Sequence, residues 1–432
     1  MSFGPVFAGA RFAVLGLGKA GLPAAAALRA MGAEVFVWDD TEASRAAAAG
    51  FAQHPPSQVP GRLDALVLSP GIPHKLPQPH PEAAWAQAEG VPVLTDVELL
   101  YRAVRASGSK ARFAGITGTN GKSTTTALLA HMLAVAGIPH AAGANLGPAA
   151  LSLPLLPHNG VYVLEMSSYM LERIVTVRFD AAVMLNLSPD HLDRHGDMAG
   201  YAAAKRQIFA RQDAACTAVV GMDDAPTRAM AAWLDAQPGR VVRISGEDFA
   251  TGPALALPGA HNAQNAAAAS ALARALGVPE AAIARGIATF PGLPHRQQEV
   301  AQRGSVRFIN DSKATNADAA ARAMGCYSRF VWIAGGVGKA GGIAELAPYF
   351  ARIEKAYLIG RDAASFAATL AAHDIPHEIA GTLAQAVPLA LAQAQANGTP
   401  VVLFSPAAAS FDQFPNFEIR GEAFAALARG EL

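Results

Sequence analysis

The chain has 432 residues, 52% of them apolar and 16% charged, with 34 Lys+Arg set against 34 Asp+Glu. That length suits two or three domains with substantial cores, and the charge balance offers no electrostatic basis for binding nucleic acid or an anionic membrane surface. The two cysteines, Cys216 and Cys326, fit a reducing compartment and exclude a disulfide framework or a thiolate metal site. Met1-Ser-Phe-Gly-Pro5 carries neither the basic segment nor the apolar core of a signal peptide. Residues 123–164 contain no Asp, Glu, Lys or Arg, yet His131, Gly137, Pro139, Asn145, Pro154 and Pro157 divide them. The pieces are shorter than the roughly 20 residues a bilayer requires. A soluble cytoplasmic protein without membrane insertion is expected.

The first apolar strand, 11–15, runs directly into Gly16-Leu17-Gly18-Lys19-Ala20-Gly21 and a helical stretch at 22–31. A second strand, 34–38, ends in Asp39-Asp40. This is G-x-G-x-x-G with an acid about 20 residues on, the Rossmann fingerprint in which a diphosphate lies against a helix N-terminus. From these residues alone NAD stays open as the ligand, although the catalytic residues of a dehydrogenase are not evident. A third strand, 65–68, precedes the turn Ser69-Pro70-Gly71-Ile72, residues 91–94 close the region, and 96–109 read as a helix and linker.

Next comes Gly115-Ile116-Thr117-Gly118-Thr119-Asn120-Gly121-Lys122-Ser123-Thr124, between a short apolar segment and a helical pattern. Strand, glycine loop and helix together form a phosphate cradle, although Ile116 stands where the strict G-x-x-x-x-G-K-[ST] pattern has glycine. Backbone N–H groups of such a loop turn toward phosphate oxygens, Lys122 reaches the β- and γ-phosphates, and the Ser123 hydroxyl suits Mg²⁺. The bland alternative is a strand-to-helix turn with a surface lysine. The strand 161–164 runs into Glu165, before Met166-Ser167-Ser168. This glutamate suits a Mg²⁺ ligand, a hard oxygen beside waters, or a cap on the following helix. Asp190-His191-Leu192-Asp193-Arg194-His195 sets two histidines four apart. That spacing raises zinc, but the H-E-x-x-H glutamate and a third soft ligand are missing. Lys205 sits on an alanine-rich helix, where a solvated cation is the plain reading. Asn262 and Asn265 share one face at the start of a long helix, with Asn262 also a candidate N-cap.

In the last third, a linker at 291–294 leads to His295-Arg296. Strands at 306–309 and 330–334 run into polar or glycine-rich loops, and the apolar stretch 401–404 leads into Ser405-Pro406. These loops are Asn310-Asp311-Ser312-Lys313-Ala314-Thr315-Asn316, then Gly335-Gly336-Val337-Gly338-Lys339, then a run from Ser405 through Ser410 and Phe417 to Gly421. Alternating strands and helices predict another open α/β sheet with functional loops at strand C-termini.

T-G-T-N-G-K-S-T at 117–124, D-H-L-D at 190–193, Y-A-A-A-K at 201–205, N-D-S-K-A-T-N at 310–316 and the run at 405–421 resemble the Mur ligases in order. These enzymes extend the peptidoglycan precursor peptide one amino acid at a time, and N-D-S-K-A-T-N resembles the D-glutamate-adding branch. The resemblance implies an α/β protein of three domains. They are a Rossmann-like domain at 1–98 for the UDP-precursor, a central P-loop ATPase-like domain at 99–292 with a mostly parallel sheet, and a Rossmann-like acceptor domain at 293–432. It implies ATP-dependent addition of D-glutamate to UDP-N-acetylmuramoyl-L-alanine through an acyl phosphate, by a monomer using two Mg²⁺ ions.

By the same resemblance Gly16, Leu17, Gly18, Asp39, Gly71, Asn145 and Ser167 hold the precursor. Gly118, Thr119, Asn120, Gly121, Lys122, Ser123, Thr124, Asn265, Arg296 and Asp311 hold ATP. Ser123, Glu165, His191 and a carbamylated Lys205 serve the metals, with Lys122, His191 and Lys205 catalytic. Lys313, Thr315, Lys339, Ser410 and Phe417 take the acceptor. Within the family another acceptor, such as L-glutamate, stays open. Outside it, an NAD-dependent oxidoreductase leaves the 117–124 loop unexplained, and a nucleotide-binding regulator leaves Glu165, His191 and Lys205 unexplained.

Overall fold

Short apolar runs punctuated by glycine give strands buried on both faces, which is the pattern of parallel sheets covered by helices. In the computed structural model, which describes residues 2–249, 257, 259–339 and 341–431, they assemble into three sheets. The first contains β1 (Arg11–Leu15), β2 (Glu34–Trp38), β3 (Ala52–Gln53), β4 (Ala65–Leu68) and β5 (Val93–Leu94), in the order β3-β2-β1-β4-β5 and all parallel. Alternate residues of β1 enter separate cores. Phe12 and Val14 pack with Ala24 and Leu28 of the helix Gly21–Ala30, whereas Ala13 and Leu15 pack with Ala83 and Ala86 of the helix Pro81–Ala88. The chain leaves β1 toward β2 on one side and later returns to β4 on the other. The loops after β1 and β4 therefore part and open a crevice at the strand ends.

The second sheet contains β6 (Arg112–Thr117), β7 (His140–Ala144), β8 (Val161–Glu165), β9 (Ala181–Met184), β10 (Thr217–Gly221) and β11 (Arg240–Ile244). Its order is β11-β10-β9-β6-β8-β7, again parallel throughout. β6, which carries the phosphate loop, is flanked by β8 and β9, so Glu165 and Asn186 emerge on either side of it. The helix Asp96–Ala106 does more than link: Val97, Leu100 and Val104 share one core with Leu28 and Phe113. Asp96 accepts from Ala150 N–H at 2.8 Å, and Glu98 accepts from Val175 N–H at 2.8 Å.

The third sheet contains β12 (Gln298–Arg303), β13 (Val306–Asn310), β14 (Phe330–Gly335), β15 (Ile353–Ile359), β16 (His377–Gly381) and β17 (Val401–Phe404). Its order is β12-β13-β17-β14-β15-β16, parallel except for the β12–β13 hairpin. Here too the faces divide. Trp332 and Leu403 pack with Met324 and Phe366, while Ile333 and Phe404 pack with Val387 and Phe424. The chain forms two compact units, one of Met1–Ala254 with Ala260–Phe290, the other of Leu255–Gly259 with Pro291–Leu432. The first two sheets lie in the first unit and the third sheet in the second.

Candidate functional site

The crevice at the ends of β1 and β4 is a cleft of about 600 Å³ lined by Gly16, Gly18, Lys19, Asp39, Asp40, Ser69, Gly71, His80 and Asn145, among others. Gly16 has φ +88°, and a Cβ there would stand 2.7 Å from Ile72 Cδ1 and 2.8 Å from Ser69 Cβ. The Ser69–Ile72 turn leaves no room for a side chain at this point, which only glycine allows. A Cβ on Gly18 would meet nothing within 4 Å, so that backbone faces open space from which a ligand can approach. Asp39 lines the cleft with both oxygens engaged: Oδ2 accepts from Leu17 N–H at 2.8 Å, and Oδ1 accepts from the Thr41 N–H at 2.9 Å and hydroxyl at 2.8 Å. Burial works against its charge, but these donors hold its carboxyl below the ordinary range. Asp39 thus shapes the glycine loop, a role beyond the ribose contact that the dinucleotide fingerprint alone would have given it.

The other wall is fixed from the central segment. Buried Arg173 donates to the carbonyls of Leu68 (2.8 Å), Ser69 (3.3 Å) and Pro70 (3.1 Å), and Arg194 to that of Gly71 (2.9 Å). Burial lowers the Arg173 pKa to about 10, which leaves it a cation at neutral pH. Sequence reasoning gave neither arginine a role, because each acts on a segment roughly a hundred residues away, even though Arg194 stands within the 190–195 stretch.

The phosphate loop is held by its neighbours' backbone and amides. Gly118 and Gly121 take φ +149° and +84°. Asn186 accepts from Thr119 N–H through its carbonyl at 2.9 Å and from Asn120 N–H through Oδ1 at 2.8 Å, and returns a bond from Nδ2 to the Asn120 carbonyl at 3.1 Å. Lys122 Nζ donates to the carbonyls of Gly118 at 3.0 Å and Thr119 at 2.7 Å, curling over the loop it follows. Gly121 has no side chain with which to cap the helix Lys122–Val135, and buried Ser123 and half-buried Thr124 begin that helix. Uncapped first-turn N–H groups at a left-handed glycine are an anion seat. Asn265 lies beneath the loop, buried, accepting from Thr125 Oγ1 at 3.4 Å and donating to Asn262 Oδ1 at 3.0 Å. Its helix begins at Ala260, so Asn262 sits inside the first turn and is not the N-cap considered from sequence.

Glu165 ends β8 beside this loop. Asn145 Nδ2 donates to its Oε1 at 2.6 Å, while Oε2 is buried without a hydrogen-bond partner. The helix-cap alternative for Glu165 does not hold, since Ser167 is the residue that caps the helix Ser168–Leu171. A buried carboxylate oxygen with no donor fits a hard cation such as Mg²⁺. Lys205 is also buried. Its Nζ donates to the Gly118 carbonyl at 2.8 Å and lies 4.8 Å from the Tyr201 ring centre. Burial first, then the Lys122 cation, pushes its pKa well below the usual lysine range, against the pull of Asp190 and Glu165.

The two histidines differ. His195 is buried, with Nδ1 3.1 Å from Glu172 Oε1 and Nε2 2.9 Å from Ser168 Oγ. Both nitrogens are engaged, so it cannot pair with His191 on zinc. His191 takes φ +54° at the start of the turn Leu192–His195, half-exposed, with Nε2 3.4 Å from Asp190 Oδ2. Among the described residues no three His, Cys, Asp or Glu side chains cluster as a metal site, so any ion here would rely on hydroxyl, water or substrate oxygens as well.

In the second unit three loops leave adjacent strand ends. Asp311, after β13, is buried and accepts from Ser405 Oγ at 2.7 Å and Gln297 N–H at 3.2 Å. Burial pushes its carboxyl up to about 7, Arg296 opposing. Lys313 Nζ lies 5.0 Å from the Phe417 ring centre, and Ser312 Oγ donates to the Phe417 carbonyl at 2.9 Å. Arg420, fully buried and missed from sequence, donates to Ser312 Oγ (3.0 Å), the Ser312 carbonyl (2.8 Å) and the Ala408 carbonyl (2.9 Å). It thereby ties the loop bearing Lys313 and Thr315 to the one bearing Ser410. Val337 pairs with Ala409 and draws in the third loop, at whose end Lys339 is exposed.

The family model for the Mur ligase middle domain matches residues 116–256, and that for the Mur ligase glutamate ligase domain matches 295–408. The UDP-N-acetylmuramoylalanine–D-glutamate ligase of Paramagnetospirillum magneticum is 48% identical, covering 98% of this chain and 97% of its own length. Its namesake from Caulobacter vibrioides is 49% identical over 97% of this chain and 95% of its own. Among solved structures, the UDP-N-acetylmuramate–alanine ligase MurC of Thermotoga maritima shares the fold with a TM-score of 0.59 at 18% identity, over 98% of this chain and 100% of that one. Motif order, fold and near-full-length identity agree: the chain belongs to the Mur ligase family.

Proposed function

We propose that this protein joins D-glutamate to UDP-N-acetylmuramoyl-L-alanine at the cost of ATP, in the synthesis of peptidoglycan precursor. The D-glutamate ligases at 48% and 49% identity support the choice of acceptor. The observation that carries the chemistry is Asn145, which lines the precursor cleft and also holds Glu165 at 2.6 Å beside the phosphate loop. One side chain thus spans the place where a carboxylate would arrive and the place where a phosphoryl group would leave.

A carboxylate and an amine do not condense in water without activation. The alanine carboxylate attacks the γ-phosphorus of ATP, giving an acyl phosphate and ADP, and the neutral glutamate amine then displaces phosphate to form the amide. Mg²⁺ when bound neutralises phosphate charge, and Ser123, Glu165 and His191 are the residues proposed to hold it. Backbone groups at 118–121 and Lys122 cradle the phosphates. Lys205, its amine favoured neutral by burial, is suited to take up CO₂ and become a carboxylate toward a second ion. Gly16, Leu17, Gly18 and Gly71 hold the diphosphate end of the precursor, with Asp39 shaping the glycine loop, and Asn145 and Ser167 also serve the precursor. Arg296 and Asp311 serve ATP, and Lys313, Thr315, Lys339, Ser410 and Phe417 serve the acceptor. The three sheets are read as three domains at 1–98, 99–292 and 293–432. No described helix is long and apolar enough to cross a membrane, and a cytoplasmic monomer is the accompanying proposal.

The test is to incubate the protein with ATP, Mg²⁺, UDP-N-acetylmuramoyl-L-alanine and, separately, D-glutamate, L-glutamate, lysine or diaminopimelate, and weigh the products. D-Glutamate is expected to be ligated fastest, by ~10⁴-fold where the wrong acceptor leaves polar groups unpaired. Faster ligation of L-glutamate overturns the acceptor, and ligation of none overturns the function.

A further inference from the structure

The precursor cleft has a phosphate end, at Gly16 and Gly18, and a second end at the turn after β2, where a Rossmann-type sheet places the nucleoside. At that second end Asp39 is already committed to the glycine loop and turn, accepting one bond at Oδ2 and two at Oδ1. What remains along the wall is Asp40, Thr41, Ile72, Pro73 and His80. His80 is the one aromatic ring among the described residues lining the cleft.

Its orientation is fixed at two points. Nδ1 accepts from Glu82 N–H at 3.2 Å, capping the helix Pro81–Ala88, and Nε2 lies 3.0 Å from Asp40 Oδ2. Accepting at Nδ1 puts the ring proton on Nε2, which donates to Asp40. With both nitrogens engaged, the imidazole has only its carbon edge and π-face to present to the cleft. Its side chain is 15% exposed, whereas that of Asp40 is 69% exposed. A flat ring held rigid before the ligand arrives loses little entropy on binding, and a nucleobase stacks on such a face whatever its hydrogen-bonding pattern.

We infer that His80 is the stacking surface for the uracil ring of the UDP-precursor, with Asp40 as the residue that sets the ring's plane. This rests on the precursor reading of the cleft. It predicts opposite behaviour for two variants. His80→Asn keeps an acceptor that can cap Glu82 N–H and removes the aromatic face. His80→Phe keeps the face and removes both hydrogen bonds.

Calorimetric titration with UDP, together with thermal unfolding and steady-state kinetics of the full chain, separates the roles. The expected result is that His80→Asn unfolds like the parent, binds UDP about tenfold more weakly, the modest end of base–aromatic stacking, and raises KM for the precursor with kcat and the ATP KM unchanged. His80→Phe binds UDP within about threefold of the parent, even with some loss of Tm. If His80→Asn binds UDP like the parent, or if His80→Phe is weakened as much as His80→Asn, the ring face is not used and the inference falls. If the parent chain itself binds no UDP, the precursor reading of the cleft falls and takes the inference with it.

Discussion

Gly121→Ala tests the phosphate loop at its most constrained point. Gly121 has φ +84°, where an L-residue costs roughly 1–2 kcal/mol. The added Cβ would stand 2.1 Å from Asn265 Oδ1, so the buried Asn265 side chain has to turn away. Turning it breaks the contact from Thr125 Oγ1 at 3.4 Å and the bond to Asn262 Oδ1 at 3.0 Å, at about 1 kcal/mol for each bond lost. The sum is a destabilisation of about 3–4 kcal/mol. Urea unfolding should read this loss, and phosphate release should show a higher KM for ATP, because the displaced loop no longer presents its N–H groups. Adding Asn265→Ala removes the collision but not the backbone strain. The double variant should therefore be more stable than the two single effects predict, by about 1–2 kcal/mol. A Gly121→Ala protein with parental stability and ATP KM, or additive effects in the double variant, would refute the reasoning.

Two further predictions follow from buried ionisable groups. Lys205→Ala should abolish ligation and recover part of it with a short carboxylate such as acetate or propionate, as expected if a lysine carbamate supplies an oxygen ligand; ¹³C NMR of the parent under labelled bicarbonate should show the carbamate, and full activity of the alanine variant in CO₂-free buffer would remove the role. Burial pushes the Asp311 carboxyl up to about 7, above the ordinary 3.8, so the native state holds the proton more tightly than the unfolded one. That contribution is fully present below pH 3.8 and is lost as pH rises toward 7, amounting to about 4 kcal/mol over the window. Urea unfolding of the parent and of Asp311→Asn across this range should differ in slope, the asparagine variant losing less stability with rising pH, and identical slopes would count against a raised Asp311.

Much of the site can be read along the chain because a phosphate loop is a local object. Its glycines, lysine and hydroxyls are consecutive, and the chemistry depends on backbone N–H groups that neighbouring residues set. Acids at strand ends are legible for a related reason: in a parallel sheet the C-terminal ends collect on one side, so Glu165 and Asp311 are marked by where their strands stop. Rivals that turn on side-chain direction are not legible. The sequence leaves Asn262 open as an N-cap, and the helix in fact begins two residues earlier, at Ala260. It also leaves His191 and His195 open as a pair, whereas the ring of His195 is clamped between Glu172 and Ser168.

By itself, then, the sequence determines the strands that lead into the motif loops, the two glycine loops and the order of the motifs, since apolar runs, φ-permissive residues and short spacings act within a few residues. The tertiary structure alone decides which remote groups complete each loop. Asn265 supports Gly121, Arg173 holds the carbonyls at 68–70, Asn145 reaches Glu165, and Arg420 joins the loops after β13 and β17. Two of these partners are chosen by sheet order: β8 lies beside β7, which puts Asn145 next to Glu165, and β17 lies beside β13, which puts Ala408 and Ser312 within reach of one guanidinium. Strand order depends on how whole faces bury their apolar surface, a property of the assembled sheet that no local stretch of sequence carries.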